Sequence, residues 1–96
     1  MNKIYFGNFR TYVIGHIKRI ESLDFDVDSK EWFLLRYLRR VVKCIEQESS
    51  PGRVEGAVRS LVRYYVDNID EHSELGDQCM KIYAEYRRTL RESQTE

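Results

Sequence analysis

Residues 27–45 read V-D-S-K-E-W-F-L-L-R-Y-L-R-R-V-V-K-C-I, and one periodicity governs them. Placed at about 100° per residue, Phe33, Leu34, Leu35, Tyr37, Leu38, Val41, Val42, Cys44 and Ile45 cover an arc of roughly 200° on a helix. An apolar arc that wide needs more than one helical neighbour. The remaining circumference carries Arg36, Arg39, Arg40 and Lys43, with Trp32, the only tryptophan, in its middle. A chain built around this segment has to supply further amphipathic helices, and the rest of the sequence does.

Before it, Tyr5, Phe6, Phe9, Tyr12, Val13, Ile17, Ile20 and Leu23 recur every three or four positions and predict a helix ending near residue 23. That helix begins either at residue 3 or at Asn8, a good N-cap, with residues 3–6 then an extended arm. His16 falls inside the apolar stripe. The second helix is expected over 28–47, capped by Asp28 with Glu31 completing a capping box, and with Val27 stapled to Trp32. Ser50-Pro51-Gly52 then starts a third helix, since serine caps and proline suits the first helical position. It runs to about 69, burying Val54, Ala57, Val58, Leu61, Val62, Tyr65 and Ile69, with Tyr64 and Val66 at the edges and an Arg63–Asp67 pair on its polar side. A fourth helix, 73–91, carries a narrower stripe of about 100° (Leu75, Cys79, Ile82, Tyr83, Tyr86, Leu90) and is expected on the outside.

There is no sustained strand-like alternation and no internal repeat. The expected fold is all-α, a single bundle of about four helices with mostly antiparallel neighbours, because short connections favour them. Ninety-six residues suffice for one domain with one core. That domain is expected over 1–91, with 92–96 as a disordered tail that has nothing apolar to bury.

Charge and cysteine usage narrow the function. Sixteen basic and sixteen acidic side chains cancel, which argues against a protein whose main work is wrapping nucleic acid. No run approaches the ~18 apolar residues of a membrane span, and the opening K-I-Y-F-G-N-F lacks the apolar length of a signal peptide. Cys44 and Cys79 are in no C-x-x-C and read as free thiols, a single disulfide being the alternative. The protein is expected in the cytoplasm, with neither cofactor nor metal. His72 lies in the acidic segment 67–77, where carboxylates can make it pH-sensitive. That segment is read as acids complementing the positive end of the fourth helix rather than as a metal site. Phosphate-loop, nucleophile-elbow and zinc-protease motifs are absent.

Two surfaces remain as candidates for recognition. The first is the Trp32, Arg36, Arg39, Arg40 and Lys43 face, since Trp and Arg dominate interface hot spots. An indole among guanidinium groups also suits single-strand binding, by stacking on bases while cations hold phosphates. The plainer alternative is a solvated face paired to Asp24, Asp26, Asp28 or the acids of 67–77. The second surface is Met80, Tyr83, Arg87 and Arg91 on the fourth helix, in a chain rich in tyrosine, which brings large contact area at low entropic cost. The leading expectation is a non-enzymatic module that binds a larger protein as inhibitor, adaptor or regulatory subunit. A nucleic-acid-binding regulator using the second helix is the alternative, and homodimerisation is open because the wide apolar arc can exceed what its neighbours cover.

Arg10-x5-His16 is the one pattern with a catalytic look. It is similar to the R-x4–6-H motif of the HEPN ribonuclease family, whose fold is also a helical bundle. Over these seven residues the resemblance implies His16 as the acid–base group and Arg10 as a stabiliser of phosphate charge.

Overall fold

A computed structural model describes residues 4–48 and 50–93. Four helices carry 79% of the described residues, α1 (Gly7–Glu21), α2 (Lys30–Glu46), α3 (Pro51–Asn68) and α4 (Glu74–Ser93), and no strand occurs among them. Each packs antiparallel on the next and α4 returns to α1, which closes a ring. α4 closes the ring but packs more lightly than the other three, in keeping with its narrow stripe. Of the expected tail, Glu92 and Ser93 continue α4, while 94–96 lie outside the described residues.

The start of α1 is decided by packing. Residues 4–6 are non-helical, as one of the two readings had it; Lys3, in the expected arm, lies outside the described residues. The helix begins at Gly7 behind Phe6, without a side-chain cap, and Asn8 is inside it. Phe6 is buried, its ring stacked on Tyr86 at 6.5 Å and tilted against Phe9. Burying an aromatic side chain is worth about 1.5–3 kcal/mol, more than the ~1 kcal/mol of a typical cap.

The α2 start also differs by one residue. Ser29, not Asp28, is the N-cap, its Oγ accepting from the Trp32 amide at 3.2 Å. Asp28 precedes it at φ 67°, a left-handed conformation that aspartate tolerates. No capping box forms, and Val27 is 71% exposed, so there is no staple. The start of α3 is as read, with Ser50 accepting from the Arg53 amide, but no Arg63–Asp67 ion pair forms among the described residues. Ser73 caps α4 by accepting from the Gly76 amide at 3.0 Å.

The core is filled by Phe9, Val13 and Ile20 from α1, Leu34, Leu38 and Val41 from α2, Val54 from α3 and Ile82 from α4, all fully buried. The buried arc of α2 is narrower than expected. Phe33 is exposed at the rim, and Tyr37, Val42, Cys44 and Ile45 are half-buried. Tyr5, Leu23 and Tyr83 are likewise exposed instead of lying within their stripes, and Val66, read at the edge of its stripe, is exposed too.

Gly76 is where α4 meets the preceding loop most closely. A Cβ there would lie 2.2 Å from the Asp70 carbonyl oxygen, a backbone atom that cannot step aside, whereas at Gly56 nothing lies within 4 Å. Gly76→Ala should therefore destabilise by about 1–3 kcal/mol. Gly56→Ala, in an exposed helix interior, should stabilise by about 0.5–1 kcal/mol. Urea unfolding of the two variants checks both signs.

Candidate functional site

Because Leu34, Leu35, Leu38 and Val41 turn inward, Trp32, Arg36, Arg40 and Lys43 share the outward side of α2, about one turn apart. With Asp28, Phe33, Tyr37 and Arg39 they line a shallow open depression of about 690 Å³. The Arg36 guanidinium lies over the Trp32 ring, 5.0 Å from its centroid, a cation–π geometry. Trp32 meets Phe33 edge-on at 4.9 Å. Beside them Phe33, Tyr37 and Tyr64 form an aromatic seam between α2 and α3, with centroids at 6.0 and 5.1 Å. Burial, together with Tyr37 and Glu31 nearby, pushes the Tyr64 hydroxyl above its usual pKa.

The cations are not neutralised by the acids the sequence offers. Arg39 pairs with Glu21 of α1 at 2.7 Å. Among the described residues Arg36, Arg40 and Lys43 have no carboxylate within 4.0 Å, and none of Asp24, Asp26 or the 67–77 acids reaches this face. Glu21 was missed because it ends a different helix. The face thus combines an indole, an aromatic seam, three unpaired cations and, at its N-terminal end, Asp28.

The second set of residues lies on another side of the bundle. Met80 (54% exposed) and Tyr83 line a small cleft of about 50 Å³ with Leu61, Val62, Tyr65 and Cys79 of α3 and α4. The Arg87 guanidinium sits 6.0 Å from the Tyr83 centroid, while Arg91 is exposed near the end of α4 and outside the cleft. The structure therefore divides the sequence-derived recognition residues into two separate surfaces.

Arg10 and His16 are not brought together. Six residues turn a helix through about 600°, which leaves the two side chains some 120° apart. Arg10 pairs with Glu46 at the end of α2. His16 is buried, its Nδ1 2.9 Å from Gln78 Oε1 of α4, with Tyr12 edge-on to its ring. Gln78 was missed as a core residue because it is polar. Its spacing put it on the stripe with Leu75, Cys79 and Ile82, and a buried histidine opposite was the signal. Its Nε2 has no hydrogen-bond partner among the described residues.

His72 is exposed, 3.5 Å from the Glu71 carboxylate, and among the described residues no His, Cys, Asp and Glu group of three or more is placed to hold a metal ion. Cys44 and Cys79 are free. Burial pushes the Cys79 thiol up to about 12, which keeps it protonated and unreactive at neutral pH. No described helix is long and apolar enough to cross a membrane. The chain matches no family model, no curated protein and no solved structure.

The His16–Gln78 pair makes a stability test. His16→Leu leaves the whole Gln78 amide unpaired in the core and should cost about 1–3 kcal/mol. Adding Gln78→Leu should recover at least about 1 kcal/mol of that loss. Denaturation of wild type, both single variants and the double variant measures the coupling.

Proposed function

We propose that this chain is a small non-enzymatic protein-interaction module that works in the cytoplasm, docking on a larger protein as inhibitor, adaptor or regulatory subunit. The docking surface is the outward face of α2. The observation that carries this reading is that Arg36, Arg40 and Lys43 have no carboxylate partner among the described residues and stand beside a half-buried indole and an aromatic seam. Arginine and tryptophan at the centre of a patch, with apolar surface around them, are the residues that dominate binding energy when a partner excludes water. A face of this kind is suited to an interface of about 800 Å² per partner.

The same residues are less suited to nucleic acid. Arg36 already covers one side of Trp32 while Phe33 abuts it edge-on, which leaves a single face of the indole for a base. Asp28 at the end of the depression opposes a continuous track of phosphates. Arg10 and His16 engage different helices, so the ribonuclease resemblance gains no support from the geometry.

Arg36→Glu combined with Arg40→Glu separates these readings. Tagged wild-type protein, recovered from its own cells after nuclease treatment, should retain a protein that the variant loses, with unchanged helicity by circular dichroism. Equal capture by both proteins, or capture that nuclease abolishes, would count against a protein-docking face.

A further inference from the structure

The loop directly before α2 is the chemical complement of the α2 face. It reads D-F-D-V-D over residues 24–28. Asp24, Asp26 and Asp28 are exposed, and among the described residues none of them has a cation within 4.0 Å. Val27 between them is 71% exposed, an unusual place for valine in a chain with a well-filled core. At the other end of the same helix Arg40 and Lys43 are also unpaired. The two sets cannot meet within one copy, because twelve residues of helix separate Asp28 from Arg40 by about 18 Å.

We propose that the free chain pairs with a second copy of itself through this face, the two α2 helices lying antiparallel across a twofold axis. The inference rests on reading the α2 face as a protein-docking surface, and it names what occupies that surface when no larger partner does. With the axis crossing the face at the level of position 34, Trp32 of one copy stands opposite Arg36 of the other. Asp28 then stands opposite Arg40. Lys43 passes beyond the start of α2 and comes against the loop that carries Asp24 and Asp26. The indole takes a second guanidinium, Arg40 and Lys43 meet three carboxylates, and Val27 covers their aliphatic stems.

The twofold follows from where the charges sit. The unpaired cations lie along one side of α2 and the unpaired carboxylates in the loop just before its start, so an antiparallel pair satisfies both patches in each copy and leaves nothing to propagate. A head-to-tail contact would leave one patch open and grow. The contact is also small. A strip from Asp28 to Lys43 is about 24 Å long and about 10 Å wide, less than the ~800 Å² per partner of a standard interface. Its affinity therefore leans on exposed charge and weakens with salt. A larger protein that binds the face has to displace the second copy, which makes self-pairing a brake on docking at high concentration.

Sedimentation equilibrium of the full chain tests the pairing. Wild type should show a monomer–dimer equilibrium at ~50 mM salt whose Kd rises at least about tenfold by ~300 mM. Two charge-reversed proteins sharpen the test: Lys43→Glu, and Asp24→Lys with Asp26→Lys. Each alone should dimerise at least about tenfold more weakly, through like-charge contacts. Mixed one to one they should form a heterodimer of near wild-type affinity, since each reversed patch then meets its opposite, and that rescue also shows both variants to be folded. A chain that stays monomeric at low salt overturns the proposal. So does a dimer indifferent to either reversal, a mixture that fails to restore pairing, or association that continues past the dimer. If the chain is monomeric while Arg36→Glu/Arg40→Glu still loses its captured protein, self-pairing alone falls and the docking surface stands.

Discussion

The burial of Leu34, Leu35, Leu38 and Val41 between α1 and α3 is the constraint from which the rest of the structure follows. Four such side chains contribute roughly 6–12 kcal/mol when taken from water, an upper estimate because the unfolded chain already buries some of this surface. That is comparable with the whole stability of a small domain, about 5–15 kcal/mol. Rotating α2 by one residue would exchange leucines for Arg36 or Arg39 in the core, and an unpaired buried charge costs several kcal/mol. The inward face is thus fixed by the core. Trp32, Arg36, Arg40 and Lys43 face outward as a consequence, and the lack of a carboxylate beside Arg36, Arg40 and Lys43 among the described residues follows from the fold instead of from an accident of one side chain.

The net charge of zero conceals a strong separation. Residues 21–31 and 67–77, the two connections at one end of the bundle with their flanking turns, hold ten of the sixteen acids and a single base, Lys30. The two segments are held to the same end by α1 and α4, where Arg19 approaches Glu74 at 4.0 Å. Several of these acids sit at the starts of α2 and α4, where they complement the positive helix ends. The remaining bases spread along the bodies of the helices and towards the far end. A molecule divided in this way orients an approaching charged surface even though its total charge is nil.

Much of the fold was legible because it rests on periodicity. The four helices, the Ser50–Pro51 start and the inward histidine follow from spacing and from the stereochemistry of caps. The errors arose where tertiary contacts outweigh a local signal. Asn8 is a better cap than Phe6, yet Phe6 is held by Tyr86 and Phe9, residues distant or unremarkable in sequence. Asp28 and Ser29 both cap well, and the left-handed turn at Asp28 decides between them. Gln78 was hidden by the habit of reading polar residues as exposed, and only His16 across the core explains it. For the candidate site, the basic stripe and its indole were visible as a pattern. Which cations stay free was not, since that depends on Glu21 reaching Arg39 and on no other acid reaching the rest.

The central claim, that the outward face of α2 is where this protein meets other proteins, is tested most directly by site-specific photocrosslinking in its own cells. A photoreactive side chain is placed at Arg40, on the face, and separately at Arg59, exposed on α3 away from it. Covalent adducts to protein from position 40 and none from position 59 are the predicted result. Adducts of equal yield from both positions, or adducts to nucleic acid from position 40, would contradict it.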